Sequence, residues 1–322
     1  MTPSVLIVIV NYRSAGLAVD CLRSLAPEVA ETPGARAVVV ENASGDDSAA
    51  ILDAAIRENG WGPWASLTIA PRNGGFAAGN NVAIGPAMAS PSPPDLVWLL
   101  NPDTIVRPGA LRELIGFLGR RPDVGLAGSR LEERDATPLQ SAFRFPTVLG
   151  ELESGLRLGP VSRLLERHVV APPVADHECR VDWVAGASLL FRREVFDAVG
   201  LLDEGYFMYF EEVDFCLKAA RAGWPCWYVP SSRVVHLVGQ SSGVTRAGEG
   251  RKRLPRYWFE ARKRFFLTNH GRARSIAADV IHALAYASFR ARRLVQRKPD
   301  EDPRLMLWDF IRYNFFLTPR SR

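Results

Sequence analysis

An α/β fold on a mostly parallel central sheet flanked by helices is what the sequence predicts, and two observations predict it. In the first half of the 322-residue chain, short β-branched runs alternate with amphipathic stretches, and polar residues gather just after those runs. Strands are expected at 5–10, 37–41, 66–70, 96–100 and 124–127, where Val, Ile, Leu and Ala cluster. Helices are expected between them, near 16–25, 48–59, 79–88 and 109–120. Residues 130–180 lose this rhythm around Pro138, Pro146, Pro160, Pro172 and Pro173 and read as a loop-rich insertion. A strand through 183–192, a helix over 211–222 and short strands at 226–229 and 233–236 complete a domain placed at residues 1–245. Residues 246–322 read as a helical, basic, aromatic-rich extension.

Composition narrows the classes. At 47% hydrophobic residues the chain can bury a large core without disulfides or structural metal. Cys21, Cys179, Cys216 and Cys226 are widely spaced and form no CxxC pair, which argues against a zinc site or a disulfide framework and fits a reducing cytoplasm. The start of the chain lacks the basic and long apolar regions of a signal peptide, and no segment offers the ~20 apolar residues of a spanning helix. The net charge of +5 hides an asymmetry: residues 246–322 hold nineteen Lys/Arg against seven Asp/Glu, net +12, leaving −7 for residues 1–245. Such a basic block suits an anionic surface, lipid or nucleic acid, or is simply a solvated helical face. Within it, 257–267 and 276–295 interleave Arg and Lys with apolar residues, as a helix lying on a membrane surface does.

Ligands of open parallel sheets bind beyond the carboxyl ends of the strands, so the residues there come first. Asn11 ends the first strand and Glu41-Asn42-Ala43-Ser44 the second; a nucleoside fits there, and so do ordinary caps and turns. Pro71-Arg72-Asn73-Gly74-Gly75-Phe76-Ala77-Ala78-Gly79-Asn80-Asn81 sets three glycines in a strand-to-helix connection, allowing close backbone approach with Arg72 facing an anion or carbonyl; it is neither GxGxxG nor a Walker loop. Asn101-Pro102-Asp103-Thr104 puts a carboxylate at the sheet edge, suited to a divalent ion bridging a diphosphate or to a helix-opening turn. In Tyr206-Phe207-Met208-Tyr209-Phe210-Glu211-Glu212-Val213-Asp214, aromatic surroundings desolvate carboxylates at a helix start. That raises a carboxyl pKa toward the value a general base needs, although acids also decorate helix N-termini for the macrodipole. His236 ends a strand before Gly239-Gln240-Ser241-Ser242-Gly243, as a metal ligand or a hydrogen-bonding strand end.

Taken in order, these segments resemble the family 2 glycosyltransferases of GT-A fold, in particular their bacterial rhamnosyltransferase-like branch, over roughly residues 4–245. The branch pattern runs V-N-Y, D-N-x-S, N-x-G-F-A-x-G-N-N, N-P-D, W-x-x-G-A, F-x-x-Y-x-E-D-x-D and H-x-x-G-x-S, and each has its counterpart here. The resemblance implies an inverting transfer of sugar from a dTDP- or UDP-linked donor, first of all dTDP-rhamnose, to a polyprenyl-diphosphate-linked or glycan hydroxyl in cell-wall or surface-polysaccharide synthesis. It implies that Asn11, Glu41, Arg72, Asn73 and Asn101 face the donor nucleotide and that Asp103 and His236 bind Mg²⁺ or Mn²⁺. Glu212 would be the base, and Trp183, Gly186 and Ala187 would wall the acceptor side. Glu41 and Glu212 stand where the pattern has Asp, which keeps Asp214 and Glu211 open as alternative bases. The basic extension then fits a peripheral contact with the inner face of the plasma membrane or a homo-oligomer contact, with no nucleic acid expected. A sugar-nucleotide nucleotidyltransferase, lacking its glycine-rich loop here, and a non-catalytic carbohydrate- or nucleic-acid-binding relative are the rival readings.

Overall fold

The computed structural model describes residues 3–237, 252–300 and 302–316, so the Gly239–Gly243 segment lies outside the described residues. In chain order the elements are β1 Val5–Asn11, α1 Ala15–Glu31, β2 Ala35–Glu41, α2 Ser48–Glu58, β3 Ala65–Ile69, α3 Gly75–Met88, β4 Leu96–Leu100, β5 Thr104–Val106, α4 Ala110–Arg120, β6 Leu126–Glu132 and β7 Ala142–Phe143. There follow α5 Val148–Leu156, α6 Gly159–Leu164, β8 Cys179–Val181, β9 Trp183–Val184, β10 Ser188–Arg192, α7 Arg193–Val199, α8 Glu211–Arg221, β11 Cys226–His236, α9 Arg256–Val295 and α10 Met306–Ile311.

The main sheet runs β3-β2-β1-β4-β10-β6-β11-β5, with β8 on β11. Strands β3, β2, β1 and β4 are parallel, and the apolar runs of β1 and β4 suit inner strands covered by helices on both faces. β10 enters antiparallel between β4 and β6, and β6 and β11 are again parallel. One apolar layer lies on each face, around Trp98, Leu22 and Phe117 on one side and Val8, Leu99 and Phe191 on the other. A buried polar rung crosses the central strands: the Trp98 indole N–H donates to Ser188 Oγ at 3.1 Å, and the Ser188, Ser129 and Ser232 hydroxyls follow in sequence, each 2.7 Å from the next. Satisfied polar groups in a dry layer penalise a one-residue slip, so the rung pins the register of β4, β10, β6 and β11.

Three expectations are corrected, and one strand is added. The strand expected through 183–192 is two strands, because Ala185 to Ala187 turn between them and β9 leaves the main sheet to pair with β7. The two short strands at 226–229 and 233–236 are one, β11; its register with β6 shifts between Val229 and Arg233, where Pro230 cannot donate to the ladder. β5, a three-residue strand directly after the Asn-Pro-Asp turn, was not expected, being too short to show a pattern. The 130–180 region holds α5 and α6 rather than loop alone; Thr147 caps α5, its hydroxyl accepting from the Gly150 amide at 3.0 Å.

The extension expected as two amphipathic segments is a helical hairpin. Gly271, at φ 79° and ψ 168°, breaks α9, and Arg262 in its first arm reaches Asp279 in its second at 2.6 Å, a contact no straight helix permits across seventeen residues. Arg262 is 2% exposed and also pairs with Glu151 of α5, whose Oε2 lies 2.7 Å from His282 Nδ1. Burial raises the Glu151 carboxyl pKa, but Arg262 and His282 outweigh it and hold it at about 2. Its folded pKa lies below the ordinary 4.5, so its contribution is complete above that value and is lost as pH falls from 4.5 toward 2. Glu151→Gln is expected to lower the melting temperature at neutral pH and to flatten its fall across that acid window, read by melting curves at stepped pH.

Candidate active site

The site is assembled at the carboxyl edge of the sheet. Asn11 and Glu41, the last residues of β1 and β2, are register partners, and β4 runs beside β1 with Ile9 opposite Leu100. Both polar ends fasten turns: Asn11 Oδ1 accepts from the Ser14 amide and hydroxyl at 3.3 and 3.1 Å, opening α1, and Glu41 Oε1 accepts from the Ser44 amide at 2.7 Å. Asn11 Nδ2 is buried with no hydrogen-bond partner, so both N–H donors of this side chain are unused.

Asn42, not singled out from the sequence, ties the second strand end to the glycine segment. Its Nδ2 donates to Asn73 Oδ1 and to the Gly75 carbonyl, each at 3.1 Å, while Asn73 Oδ1 also accepts from the Gly75 amide at 3.0 Å. Arg72 is exposed and, with Asn42, Gly74, Asn81 and Glu204, lines a cavity of about 200 Å³. Asn73 therefore shapes the loop, and Arg72 is the member of the pair aimed outward.

Gly75 has φ 89°, and a Cβ on it would lie 1.8 Å from the Phe207 carbonyl oxygen. That oxygen accepts from the Phe76 amide at 2.7 Å. The glycine segment and the aromatic-acidic segment, 130 residues apart, are thus interlocked backbone to backbone, and only glycine allows the approach. Gly79 does the same toward β1, where a Cβ would meet Val10 Cγ1 at 2.7 Å.

Beyond β4, the Asn101 amide donates to the Ala187 carbonyl at 3.1 Å and the Asn101 carbonyl accepts from Thr104 Oγ1 at 2.7 Å. Asp103 is 1% exposed, and its Oδ1 lies 3.4 Å from His236 Nε2, which is 3.4 Å from Asn101 Nδ2. The antiparallel pairing of β11 with β5 sets His236 opposite Thr104 and so beside Asp103. Among the described residues no three His, Cys, Asp or Glu side chains converge as a metal cluster. A carboxylate and an imidazole side by side fit Mn²⁺ or Mg²⁺ whose remaining positions are filled by phosphate and water, as suits ions that use one or two protein carboxylates.

The chain enters α8 through Tyr209 and Phe210, consecutive left-handed residues at φ 72° and 67°. Bulky residues rarely adopt this conformation, and the packing around them must enforce it. The three acids that follow have separate fates. Asp214, 1% exposed, accepts from the Tyr206 hydroxyl at 3.2 Å and Asn269 Nδ2 at 2.6 Å and pairs with Lys218 at 2.6 Å, so it is fully engaged as a fastener. Glu211 is buried, and desolvation together with the neighbouring Glu212 pushes its pKa well up. Glu212 is half-buried and flanks Gly186; burial raises its pKa against the opposing pull of its own amide and those of Gly186 and Val213. Its Oε2 is shielded and makes no hydrogen bond.

Gly186 lies beside Glu212, where a Cβ on it would meet Glu212 Cβ at 3.8 Å, and Ala187 binds Asn101, so the β9–β10 turn runs from the acid to the Asp103–His236 pair. Trp183 stacks on Phe143, ring centres 4.2 Å apart, and its indole N–H donates to the Arg144 carbonyl at 2.9 Å; one face and the polar handle of this ring are already in use.

The first arm of α9 grips the loop before α8. Arg264 forks onto Asp203 at 2.8–3.2 Å, Tyr257 packs on Phe207 and Tyr209, and Phe265 packs on Phe210. Ala261, Phe265 and Phe266 share an apolar cluster with Tyr206, Val213 and Leu217. These partners lie some fifty residues from the acids and leave no local signal in the sequence. Asp214→Ala is expected to cost about 2–4 kcal/mol, because it strands the Tyr206 hydroxyl and the Asn269 amide in a dry layer, a loss measurable by urea denaturation.

A model described as "Glycosyltransferase like family 2" matches residues 3–254. N-acetylglucosaminyl-diphospho-decaprenol L-rhamnosyltransferase of Mycobacterium tuberculosis is 33% identical over 154 residues, 46% of this chain and 49% of that protein. Rhamnosyltransferase WbbL of Escherichia coli is 29% identical over 167 residues, 51% of this chain and 61% of that one. The matches thus span about half to three fifths of the length of these curated relatives. Among solved structures, a mannosyltransferase of Pyrobaculum calidifontis in complex with GDP-Man and Mn²⁺ superposes with a TM-score of 0.58 at 16% identity, covering 92% of this chain and 76% of that one. GalNAc-T7 with UDP, GalNAc and Mn²⁺ gives 0.55 at 14% identity, covering 92% and 59%. At such identities the likeness is one of fold, the GT-A fold.

Proposed function

The chain belongs to the family 2-like glycosyltransferases, and from that premise we propose that it transfers a sugar from a nucleotide-diphosphate donor to an acceptor hydroxyl with inversion at the anomeric carbon. The observation that carries the reading is Glu212: a carboxylate with a shielded, unbonded Oε2, set against Gly186 and joined through Ala187 and Asn101 to Asp103 and His236. In this mechanism Glu212 takes the acceptor proton as the oxygen attacks the anomeric carbon, and the nucleotide diphosphate leaves from the opposite face. Asp103 and His236 would hold Mn²⁺ or Mg²⁺, which when bound neutralises charge on the departing diphosphate. Asn11 and Arg72 would face the donor nucleoside, while Glu41, Asn42 and Asn73 hold the loops that receive it. No covalent glycosyl-enzyme is required, so a single base suffices.

The names of the Mycobacterium tuberculosis and Escherichia coli relatives support rhamnose as the sugar, with dTDP-rhamnose as first donor and UDP-sugars next. The former also supports a polyprenyl-diphosphate-linked acceptor; with such an acceptor the reaction would run at the inner face of the plasma membrane, in surface-glycan synthesis. Release of nucleotide diphosphate from a panel of sugar nucleotides, with Mn²⁺ and with or without polyprenyl-linked acceptor, tests the reading. Donor-selective release that needs both the ion and Asp103 is expected. Metal-independent nucleotidyl transfer, or no turnover with any acceptor, would favour the rival readings. Asp103→Ala is expected to lower kcat/KM at least a hundredfold and to abolish Mn²⁺-dependent nucleotide binding, read by calorimetry.

A further inference from the structure

The second arm of α9 presents a continuous outward face of Ile276, Val280, Leu284, Ala291 and Val295, interrupted only by Ser288. Ile276, Val280 and Leu284 are 51%, 39% and 68% exposed, and Val295 is 85% exposed. Steps of three and four residues put them on one stripe, roughly 28 Å long from Ile276 to Val295 at 1.5 Å per residue. The opposite side of this arm is anchored: Asp279 pairs with Arg262, His282 with Glu151, and the Tyr286 hydroxyl donates to Asp302 at 2.8 Å. From Ser275 to Phe289 the only Asp, Glu, Lys or Arg is the buried Asp279, so the exposed stripe carries no charge over four turns.

Cations bracket the stripe. Arg272 and Arg274 stand exposed at its start and Arg297 and Lys298 just past its end. Among the described residues no helix is long and apolar enough to cross a membrane. An apolar stripe fixed on its inner side by buried ion pairs and flanked by long cationic side chains matches a surface that is apolar beneath and anionic above. We propose that this face of the α9 hairpin seats on an anionic lipid surface, the stripe entering the acyl boundary and the flanking arginines reaching phosphate headgroups. A second copy of the chain would bring the same cations against themselves, which disfavours self-association through this face.

The docking deepens the lipid-linked acceptor reading and rests on it only for its purpose. Vesicle binding is therefore measured without donor or acceptor, so the failure of one leaves the other standing. The full chain is sedimented with vesicles of phosphatidylglycerol and phosphatidylcholine in equal parts, and with phosphatidylcholine alone. Wild type is expected to sediment with the anionic vesicles, more weakly as salt rises. Val280→Asp/Leu284→Asp should cut the bound fraction at least tenfold, and Arg272→Ser/Arg274→Ser severalfold. Both pairs are exposed, so unchanged melting curves confirm the fold; if the aspartates disturb it, Val280→Ser/Leu284→Ser serves the same comparison. Wild type that stays in the supernatant, or aspartate variants that sediment like wild type, would overturn the proposal. A concentration-dependent dimer that those aspartates dissolve, with no vesicle binding, would assign the face to a second copy instead.

Discussion

Glu212→Gln is expected to lower kcat by about 10²–10⁴-fold while nucleotide binding persists, because it removes the proton acceptor and leaves the shape of the pocket unchanged. The proposed choice among the three acids rests on what each already contacts. Asp214 is spent on Tyr206, Asn269 and Lys218; Glu211 and Glu212 each keep a shielded, unbonded Oε2, and of these two it is Glu212 that is the less buried and lies beside the Gly186 turn. A base works in its ionised form, and burial raises the Glu212 pKa above the ordinary 4.5, so kcat/KM should climb with pH through a midpoint above that value. Glu211→Gln removes the neighbouring carboxylate without touching the acceptor. It should retain turnover and leave the midpoint close to that of wild type, since burial is what raises the Glu212 pKa and the repulsion between the two acids falls on Glu211. Turnover that survives Glu212→Gln and vanishes in Glu211→Gln would transfer the role to Glu211.

Gly75→Ala should be nearly as damaging, for a mechanical reason. The added methyl would stand 1.8 Å from the Phe207 carbonyl oxygen, and the residue sits at φ 89°. Left-handed backbone costs about 1–2 kcal/mol for alanine and forced separation of packed elements about 1–3 more, so a loss of roughly 3–5 kcal/mol is expected by chemical denaturation. Where the variant folds, the 207–210 segment must retreat and carry Glu212 with it. A fall in kcat larger than any rise in KM for donor would register that displacement. Gly62→Ala, where nothing lies within 4 Å of the added methyl, is the matched control and should be close to neutral.

The parallel core was legible because its strands are buried on both faces and read as unbroken apolar runs, as in 5–10 and 96–100. The acidic helix start and the Asn-Pro-Asp turn were legible because each interrupts an apolar or aromatic run with carboxylates. Asn42 was passed over because an Asn after a strand reads as a turn residue, and its two bonds to the glycine segment depend on a partner thirty residues away. The split of 183–192 was illegible for a related reason: β9 and β10 are both apolar, and only pairing with β7 diverts the first from the main sheet. Tyr209 and Phe210 gave no warning of their left-handed backbone, since local sequence would place glycine or asparagine there and the α9 packing overrides it.

The grip of α9 on the 203–210 loop bears on how this chain can be recombined with its relatives. Asp203 with Arg264, Phe207 with Tyr257, Phe210 with Phe265 and Asp214 with Asn269 form a matched set split between two stretches of chain. A chimera that imports a foreign segment for residues 203–214 and keeps the native hairpin inherits half of each pair, and a truncation before Arg256 removes the other half from all of them. Swaps that move both stretches together should stay folded, and those that move either one alone should not.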